Sequence, residues 1–396
     1  MIVEPKIRGF ICTTAHPAGC RENVRQQIAY VKSQPEFDGK KHVLVIGAST
    51  GYGLASRITA AFGCGAQTIG VMFEKPASGK RTASAGWYNT AAFEEFAAAE
   101  GLYAKSINAD AFSQETKDEV VSLIQKDWGS VDMVVYSLAA PRRTMPDGET
   151  VSSVLKTTGS PYTNKTIDLT NRTIVPVTIE PATQEEIADT VKVMGGEDWK
   201  DWMCALSDAG VLAENAVTMA YTYIGPELTH PMYFNGSIGA AKDHLYRTAQ
   251  EMTEEFAEEG LSAYVSVNKA LVTQASSAIP VVPLYTAILY QIMKPMGLHE
   301  GCIEQMYRLF AQKLFVQPPL TDGDCMLRVD DWELRGDVQE QVTKVWERIS
   351  TENLSELADV DGYWEEFYRM FGFGIPDVDY GADVETDVKI PSIDAE

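Results

Sequence analysis

The 396-residue chain is poor in the residues that most metal and thiol chemistry needs. It has five histidines, each isolated, and six cysteines at Cys12, Cys20, Cys64, Cys204, Cys302 and Cys325. No C-x-x-C pair and no histidine pair at ligand spacing occurs, so no metal site is expected. Scattered thiols of this kind read as reduced cysteines of a cytoplasmic protein. Basic residues are also scarce: 33 Lys and Arg face 56 Asp and Glu, a formal charge of −23. That balance excludes nucleic acid and anionic membrane surfaces as general partners. It also means that a substrate carried on an acidic protein would need a local basic patch. Met1–Arg8 lacks the apolar core of a signal peptide, and no run reaches the 18 or so apolar residues of a membrane span. Neither an internal repeat nor a low-complexity tract is visible.

Against these absences stands one dense stretch, Val43-Leu44-Val45-Ile46-Gly47-Ala48-Ser49-Thr50-Gly51-Tyr52-Gly53. Four branched apolar residues in a row predict a strand buried on both faces. Three glycines follow, and then Leu54–Phe62 with helical apolar spacing, with Gly63 as a stop. Strand, glycine turn and helix together make a dinucleotide-binding opening. The glycines let backbone approach a pyrophosphate, and the helix start offers unpaired N–H groups. The spacing is Gly-x-x-x-Gly-x-Gly, the variant of short-chain dehydrogenase-like folds. The same letters contain Gly47-x-Ser49-x-Gly51, which matches the nucleophile elbow of serine hydrolases. A glycine-rich turn without a ligand is the plainest alternative.

A second strand, Thr68–Phe73, ends at Glu74. In this fold a carboxylate after the second strand takes the adenosine ribose hydroxyls. Glu74 lies 27 residues past Gly47, further than the usual spacing of about 20. A carboxylate there would repel a 2′-phosphate, which favours NADH over NADPH. The alternative is a solvated loop charge.

Strands and helices then alternate: a helix ending at Glu94–Glu100, a strand at Leu102–Ile107 followed by Asp110-Ala111, a helix at Thr116–Asp127, and a strand at Val131–Leu138 leading into Ala139. Such alternation predicts an α/β, Rossmann-type, doubly wound parallel sheet. The pattern breaks at about 144–200, where Thr163–Pro181 predicts an inserted β-hairpin or an irregular excursion. It resumes with a strand at Ala216–Ile224, a helix at Ile238–Glu259 and a strand at Ser262–Val267. A helix is also expected at Asn23–Lys32. From about 276 to 396 the chain reads as largely helical, with an acidic, weakly structured end after Pro376. The expectation is one Rossmann-type domain, 1–396, with insertions.

Between the fifth and sixth strands lie Tyr223 and then Tyr233-x8-Lys242. Nine residues at 100° each would put Tyr233 and Lys242 on opposite faces of one helix. Tyr233 is therefore expected before the helix, across an Asn235-Gly236 turn, with Ser237 as N-cap and Lys242 one turn inside. An ordinary surface tyrosine and a solvated lysine are the plain alternative. A Tyr-x3-Lys pair at Tyr290 and Lys294 is read as packing or pocket lining rather than as catalytic. The apolar stretch Ser276–Met293, with Pro280 and Pro283 near its start, is read either as the wall of an acyl channel or as a core helix.

Taken together, the 43–53 stretch with Phe73-Glu74, Tyr223-Ile224-Gly225-Pro226 and Tyr233-x8-Lys242 resembles the V-type bacterial enoyl-acyl-carrier-protein reductases and the related trans-2-enoyl-CoA reductases. The segments Val193–Trp199, His299–Gln305 and Val329–Leu334 are similar to family segments as well. The resemblance implies NADH-dependent reduction of the trans-2 double bond of an enoyl thioester, on acyl carrier protein or CoA, by a monomer. It implies that Gly47, Ala48, Ser49, Thr50, Gly51 and Tyr52 line the NADH pyrophosphate. Phe73, Glu74, Asp110, Ala111, Leu138 and Ala139 would hold the adenosine side. Tyr233 would donate the proton, Lys242 would contact the cofactor, Tyr223 would meet the substrate, and Leu271, Val272 and Thr273 would cover the nicotinamide. Two other readings stand beside it: a serine hydrolase built on Ser49, and an NADH-binding sensor without catalysis.

Overall fold

The computed structural model describes residues 1–8, 11–138, 140–323 and 326–394. Its centre is a seven-stranded sheet of β1 (His42–Ile46), β2 (Gln67–Met72), β3 (Ala104–Asn108), β4 (Val131–Tyr136), β5 (Leu212–Thr222), β6 (Ser262–Val267) and β7 (Met326–Arg328). Every pairing is parallel, in the order β3-β2-β1-β4-β5-β6-β7. The first six strands thus follow the 3-2-1-4-5-6 order of dinucleotide-binding sheets, with the switch point between β1 and β4.

Side chains of one strand alternate between the two faces. On one face Val43, Val45, Met133, Val135 and Met219 pack with α1 (Pro17–Ser33), α2 (Gly51–Cys64) and α9 (Cys302–Leu309). On the other, Leu44, Ile46, Ile69, Val71, Val134 and Ala220 pack with α4 (Gln114–Asp127), α6 (Glu197–Asp208) and α7 (Ser237–Glu255). Both faces are covered, which is why the strands read as continuous apolar runs. One charge is built into this packing. Arg57 of α2 is 1% exposed and donates to Thr68 Oγ1 (3.1 Å), Ser106 Oγ (2.8 Å) and the Lys105 carbonyl (2.6 Å). It ties α2 to β2 and β3, and burial brings its pKa down to about 10.

The remaining helices are α3 (Ala85–Ala99), α5 (Gln184–Met194), α8 (Val282–Met293), α10 (Gly336–Arg348) and a last long helix at Val360–Arg369. The insertion holds the expected hairpin: Tyr162–Asp168 pairs antiparallel with Thr173–Ile179, and Pro176 opposes Lys165. A two-stranded ribbon has only edges, so the proline is tolerated.

Several expectations need correction. The insertion runs on into α5 and α6, two helices that the residue pattern does not announce. The helix expected at Asn23–Lys32 begins at Pro17, where His16 Nδ1 accepts from Gly19 N–H at 3.1 Å. Strand β7 has only three residues and was not anticipated. The described part of the end after Pro376, 377–394, has neither helix nor strand, yet it is docked. Its backbone accepts from Trp87 Nε1 and Tyr88 Oη, Ser392 bonds Glu94, and Ile390 is fully buried. The Ser276–Met293 stretch is mostly core. Val281, Val282, Leu284, Ile288 and Leu289 sit in one buried cluster with α10 and Val360–Arg369, which answers to the core-helix reading. The five described cysteines are free thiols. No group of histidine, cysteine, aspartate or glutamate side chains among the described residues is arranged to hold a metal ion. Among the same residues, no helix is long and apolar enough to cross a membrane.

Candidate active site

The residues singled out from the sequence gather at one edge of the sheet because each follows the C-terminus of a parallel strand. Gly47–Ser49 follow β1, Phe73-Glu74 β2, Asp110-Ala111 β3, Leu138 β4, Tyr223 β5 and Leu271–Thr273 β6. In open α/β sheets, ligands bind in the crevice outside this edge. Ala139 lies outside the described residues.

The β1–α2 turn is shaped for close approach of a ligand. Gly47 has φ +84°, and a Cβ there would stand 2.4 Å from the Ser137 carbonyl oxygen. A Cβ on Gly53 would meet the Gly47 carbonyl oxygen at 1.9 Å. Only glycine fits either place. Helix α2 starts at Gly51 with Thr50 at its N-cap, and no side chain caps it. Its first N–H groups are left for an anion. These features fit a dinucleotide pyrophosphate on Gly47–Gly51. Tyr52 opens the helix beside them, and its hydroxyl reaches the Lys269 carbonyl at 2.9 Å, which ties α2 to the stretch after β6.

Ser49 Oγ donates to Glu74 Oε1 at 2.6 Å. Its proton goes to a carboxylate, not to a histidine, so the pairing is not that of a hydrolase triad. Glu74 is held further by its N–H to Asn108 Oδ1 (2.7 Å) and by Asn108 Nδ2 to its carbonyl (3.0 Å). Phe73 beside it is 78% exposed, a bare ring at the end of β2. The Ala111 carbonyl accepts from Trp202 Nε1 at 3.1 Å.

Tyr233 lies before α7, as the spacing requires, and the Gly236 N–H donates to its carbonyl at 3.3 Å. Gly236, not Ser237, is the N-cap. Ser237 instead donates to the Val154 carbonyl (2.5 Å) and accepts from Lys156 N–H (3.2 Å). Together with Thr158 Oγ1 to the Asn235 carbonyl, these bonds anchor the Tyr233 turn to the insertion. The Asn-Gly turn, flexible by composition, is held in place. The Tyr233 and Tyr223 rings stand edge to face, centroids 5.2 Å apart. Burial pushes the Tyr233 phenol above its usual range. Lys242 Nζ meets the Tyr221 carbonyl at 3.5 Å, and burial lowers its pKa from 10.5 to about 8.

The stretch after β6 is pinned from below. Lys269 N–H donates to Gln305 Oε1 (3.0 Å), Ala270 N–H to Glu333 Oε2 (2.6 Å) and Val272 N–H to Tyr290 Oη (3.2 Å). Tyr290 Oη also donates to Glu366, and Lys294 pairs with Asp359 at 2.7 Å. Both members of the Tyr-x3-Lys pair are thus spent on packing, in keeping with their reading as non-catalytic. Tyr285, Lys269 and Glu333 were not singled out from the sequence. The only trace of Glu333 was its place in the family-like segment Val329–Leu334.

A family model described as the trans-2-enoyl-CoA reductase catalytic region matches residues 81–315. One for the NAD(P)H binding domain of trans-2-enoyl-CoA reductase matches 2–79. The chain belongs to the trans-2-enoyl-CoA reductase family. It is 59% identical over 399 residues to an enoyl-[acyl-carrier-protein] reductase [NADH] of Coxiella burnetii, covering 99% of this chain and 98% of that protein. To a trans-2-enoyl-CoA reductase [NADH] of Ruminiclostridium cellulolyticum it is 55% identical, covering 99% and 100%. The crystal structure of the Clostridium acetobutulicum trans-2-enoyl-CoA reductase in complex with NADH superposes with a TM-score of 0.95 at 44% identity, covering 98% of this chain and 100% of that one. That of the Treponema denticola enzyme in complex with NAD gives 0.95 at 47%, with the same coverage.

A third model, described as an enoyl reductase FAD binding domain, matches 321–384. The described residues there do not fit a flavin dinucleotide. No glycine turn joins β7 to α10. The link, 329–335, carries no glycine, and its carboxylates are already engaged, Asp330 with Arg328, Asp331 with Arg308 and Lys313. Helix α10 buries Val338, Val342 and Trp346 against the core around α8.

Proposed function

We infer that the protein is an NADH-dependent reductase of trans-2-enoyl thioesters. The observation that carries this reading is the meeting, at one sheet edge, of the Gly47–Gly51 cradle with the Tyr223–Tyr233 pair and Lys242. NADH, when bound, supplies the hydride that goes to the β-carbon of the enoyl thioester. Gly47 to Tyr52 would line its pyrophosphate, and Glu74 would accept from the ribose hydroxyls. Phe73 offers an apolar face beside them, with Asp110, Ala111 and Leu138 completing the adenosine side. Leu271, Val272 and Thr273 would lie over the nicotinamide and exclude water from it.

As the double bond is reduced, negative charge builds on the thioester oxygen. Tyr233 is a neutral phenol, so its hydrogen bond strengthens as that charge grows and favours the transition state over the substrate. It then gives its proton to the product side. The Lys242 ammonium would bind ribose hydroxyls and favour the tyrosinate that is left. Tyr223, at the end of a strand, would orient the thioester already in the ground state. The structure offers Ser49 no histidine, which disfavours a hydrolase.

The test follows loss of reduced nicotinamide absorbance with crotonyl-CoA and with crotonyl-acyl-carrier protein. Tyr233→Phe should lower kcat and kcat/KM together by about 100-fold, the scale of a lost oxyanion donor or general acid. Tyr223→Phe should raise KM at least as much as it lowers kcat. If single-turnover hydride transfer is normal in Tyr233→Phe and impaired in Tyr223→Phe, the two roles are reversed.

A further inference from the structure

Glu333 lies in the link between β7 and α10 and is fully buried. Three donors from three parts of the chain converge on its carboxylate. Oε1 accepts from Tyr285 Oη (2.6 Å) and Tyr223 Oη (3.0 Å), and Oε2 accepts from Ala270 N–H (2.6 Å). Gln339 Nε2 donates to Tyr285 Oη at 3.1 Å and to the Glu333 carbonyl at 2.7 Å. That bond leaves the Tyr285 proton for Glu333. No basic side chain comes within ion-pair distance of Glu333 among the described residues. Burial raises the pKa of Glu333, and the attraction of the buried Lys269 and the bonds from Tyr285 and Ala270 oppose that rise; the Lys269 ammonium itself bonds the Ala270 carbonyl at 3.0 Å and lies over the Tyr290 ring.

A buried carboxylate without a touching cation is costly, and a well-packed apolar residue is often more stable in such a place. The cost here is offset by hydrogen bonds that reach the reacting region. One donor is Tyr223 itself. Another is the N–H that immediately precedes Leu271–Thr273. Core stability alone does not call for a charge at this point, whereas a common anchor for these two parts does.

We propose that Glu333 is a positioning residue of the reaction, a carboxylate that holds the Tyr223 phenol and the 270–273 backbone in one frame. This rests on the assignment of Tyr223 to the substrate. It also sets the direction of one proton. Tyr223 gives its hydrogen to Glu333, so it presents lone pairs to its other neighbours. It can then accept a hydrogen bond from an amide N–H of the arm that carries the thioester, but it can neither donate to the thioester oxygen nor protonate the enolate. Proton donation is left to Tyr233.

A double-mutant cycle on the full chain tests this. Glu333→Gln, Tyr223→Phe and the pair are assayed for kcat and for KM of crotonyl-CoA at saturating NADH, with melting temperature recorded for each. Glu333→Gln should raise KM for the thioester by about tenfold, the scale of a lost hydrogen bond to a charged group. In the Tyr223→Phe background the same change should move KM by less than about twofold, since the phenol is gone and the amide oxygen of glutamine can still accept from Ala270 N–H. Multiplicative effects, or an unchanged KM in Glu333→Gln, would overturn the proposal. Should Glu333→Gln fail to fold, Glu333→Asp keeps the charge, shortens its reach and is read by the same cycle and the same criteria. A wild-type protein inactive on crotonyl-CoA and its carrier-protein ester would sink the reductase reading itself. Additive effects in an active enzyme would sink only the role given to Glu333.

Discussion

Lys242 offers the sharpest prediction, because one burial event should move activity and stability in opposite directions. Its ammonium, on the second turn of α7, has one weak acceptor among the described residues, the Tyr221 carbonyl at 3.5 Å. Burial takes its pKa from 10.5 to about 8. A drop of that size corresponds to about 3 kcal/mol of disfavour toward the charged form. The working state needs the charge, for ribose and for the tyrosinate. In the free protein, kcat/KM for NADH should therefore be level below pH 8 and fall by about tenfold per unit above it. Burial raises the Tyr233 phenol above its usual range, so that group does not titrate there. Stability should do the reverse. Between about pH 8 and 10.5 the unfolded chain keeps a proton that the folded chain has shed, so stability climbs with pH across that window. Lys242→Met should be more stable than wild type at pH 7 and should lack the climb. Lys242→Arg keeps a charge that does not titrate, so its basic limb should move out of range. The measurements are a pH series of initial rates and chemical-denaturation curves at matched pH. A basic limb left in place in Lys242→Arg would refute the assignment. So would a wild-type stability that falls, relative to Lys242→Met, between pH 8 and 10.5.

Glu74→Ser should remove the repulsion of a 2′-phosphate and lower the ratio of kcat/KM for NADH to that for NADPH by about tenfold or more, one charge contact; an unmoved ratio would take discrimination away from Glu74. It should also free the Ser49 hydroxyl without a large change in melting temperature. Gly53→Ala would put a methyl group 1.9 Å from the Gly47 carbonyl oxygen, so the turn must shift. NADH affinity should fall by at least tenfold and the melting temperature by several degrees, a cost of about 1–3 kcal/mol; wild-type NADH binding by titration calorimetry would show that the turn is not the cradle.

Much of the sheet edge was legible because its determinants are local. A run such as Val43–Ile46 followed by three glycines encodes strand, turn and helix within a dozen residues. The Tyr-x8-Lys spacing likewise excluded a shared helix face by arithmetic alone, and Tyr233 does lie ahead of α7. What remained hidden was set by contacts distant in sequence. Ser237 has every local mark of an N-cap, yet its hydroxyl is drawn to Val154, 83 residues earlier. Tyr52 belongs to the glycine turn by position, but its side chain serves the stretch after β6, 217 residues on. The acidic end after Pro376 reads as loose and is nonetheless held by Trp87 and Tyr88. Glu333 sits in a run of acidic residues that looks like solvated surface, and only the approach of β5, α8 and the 270 backbone makes it a buried anchor. Local pattern decides which backbone a segment adopts, since turn chemistry and apolar period act within a few residues. Which polar groups end up without water depends on what the fold brings over them, and that is decided only when distant segments meet.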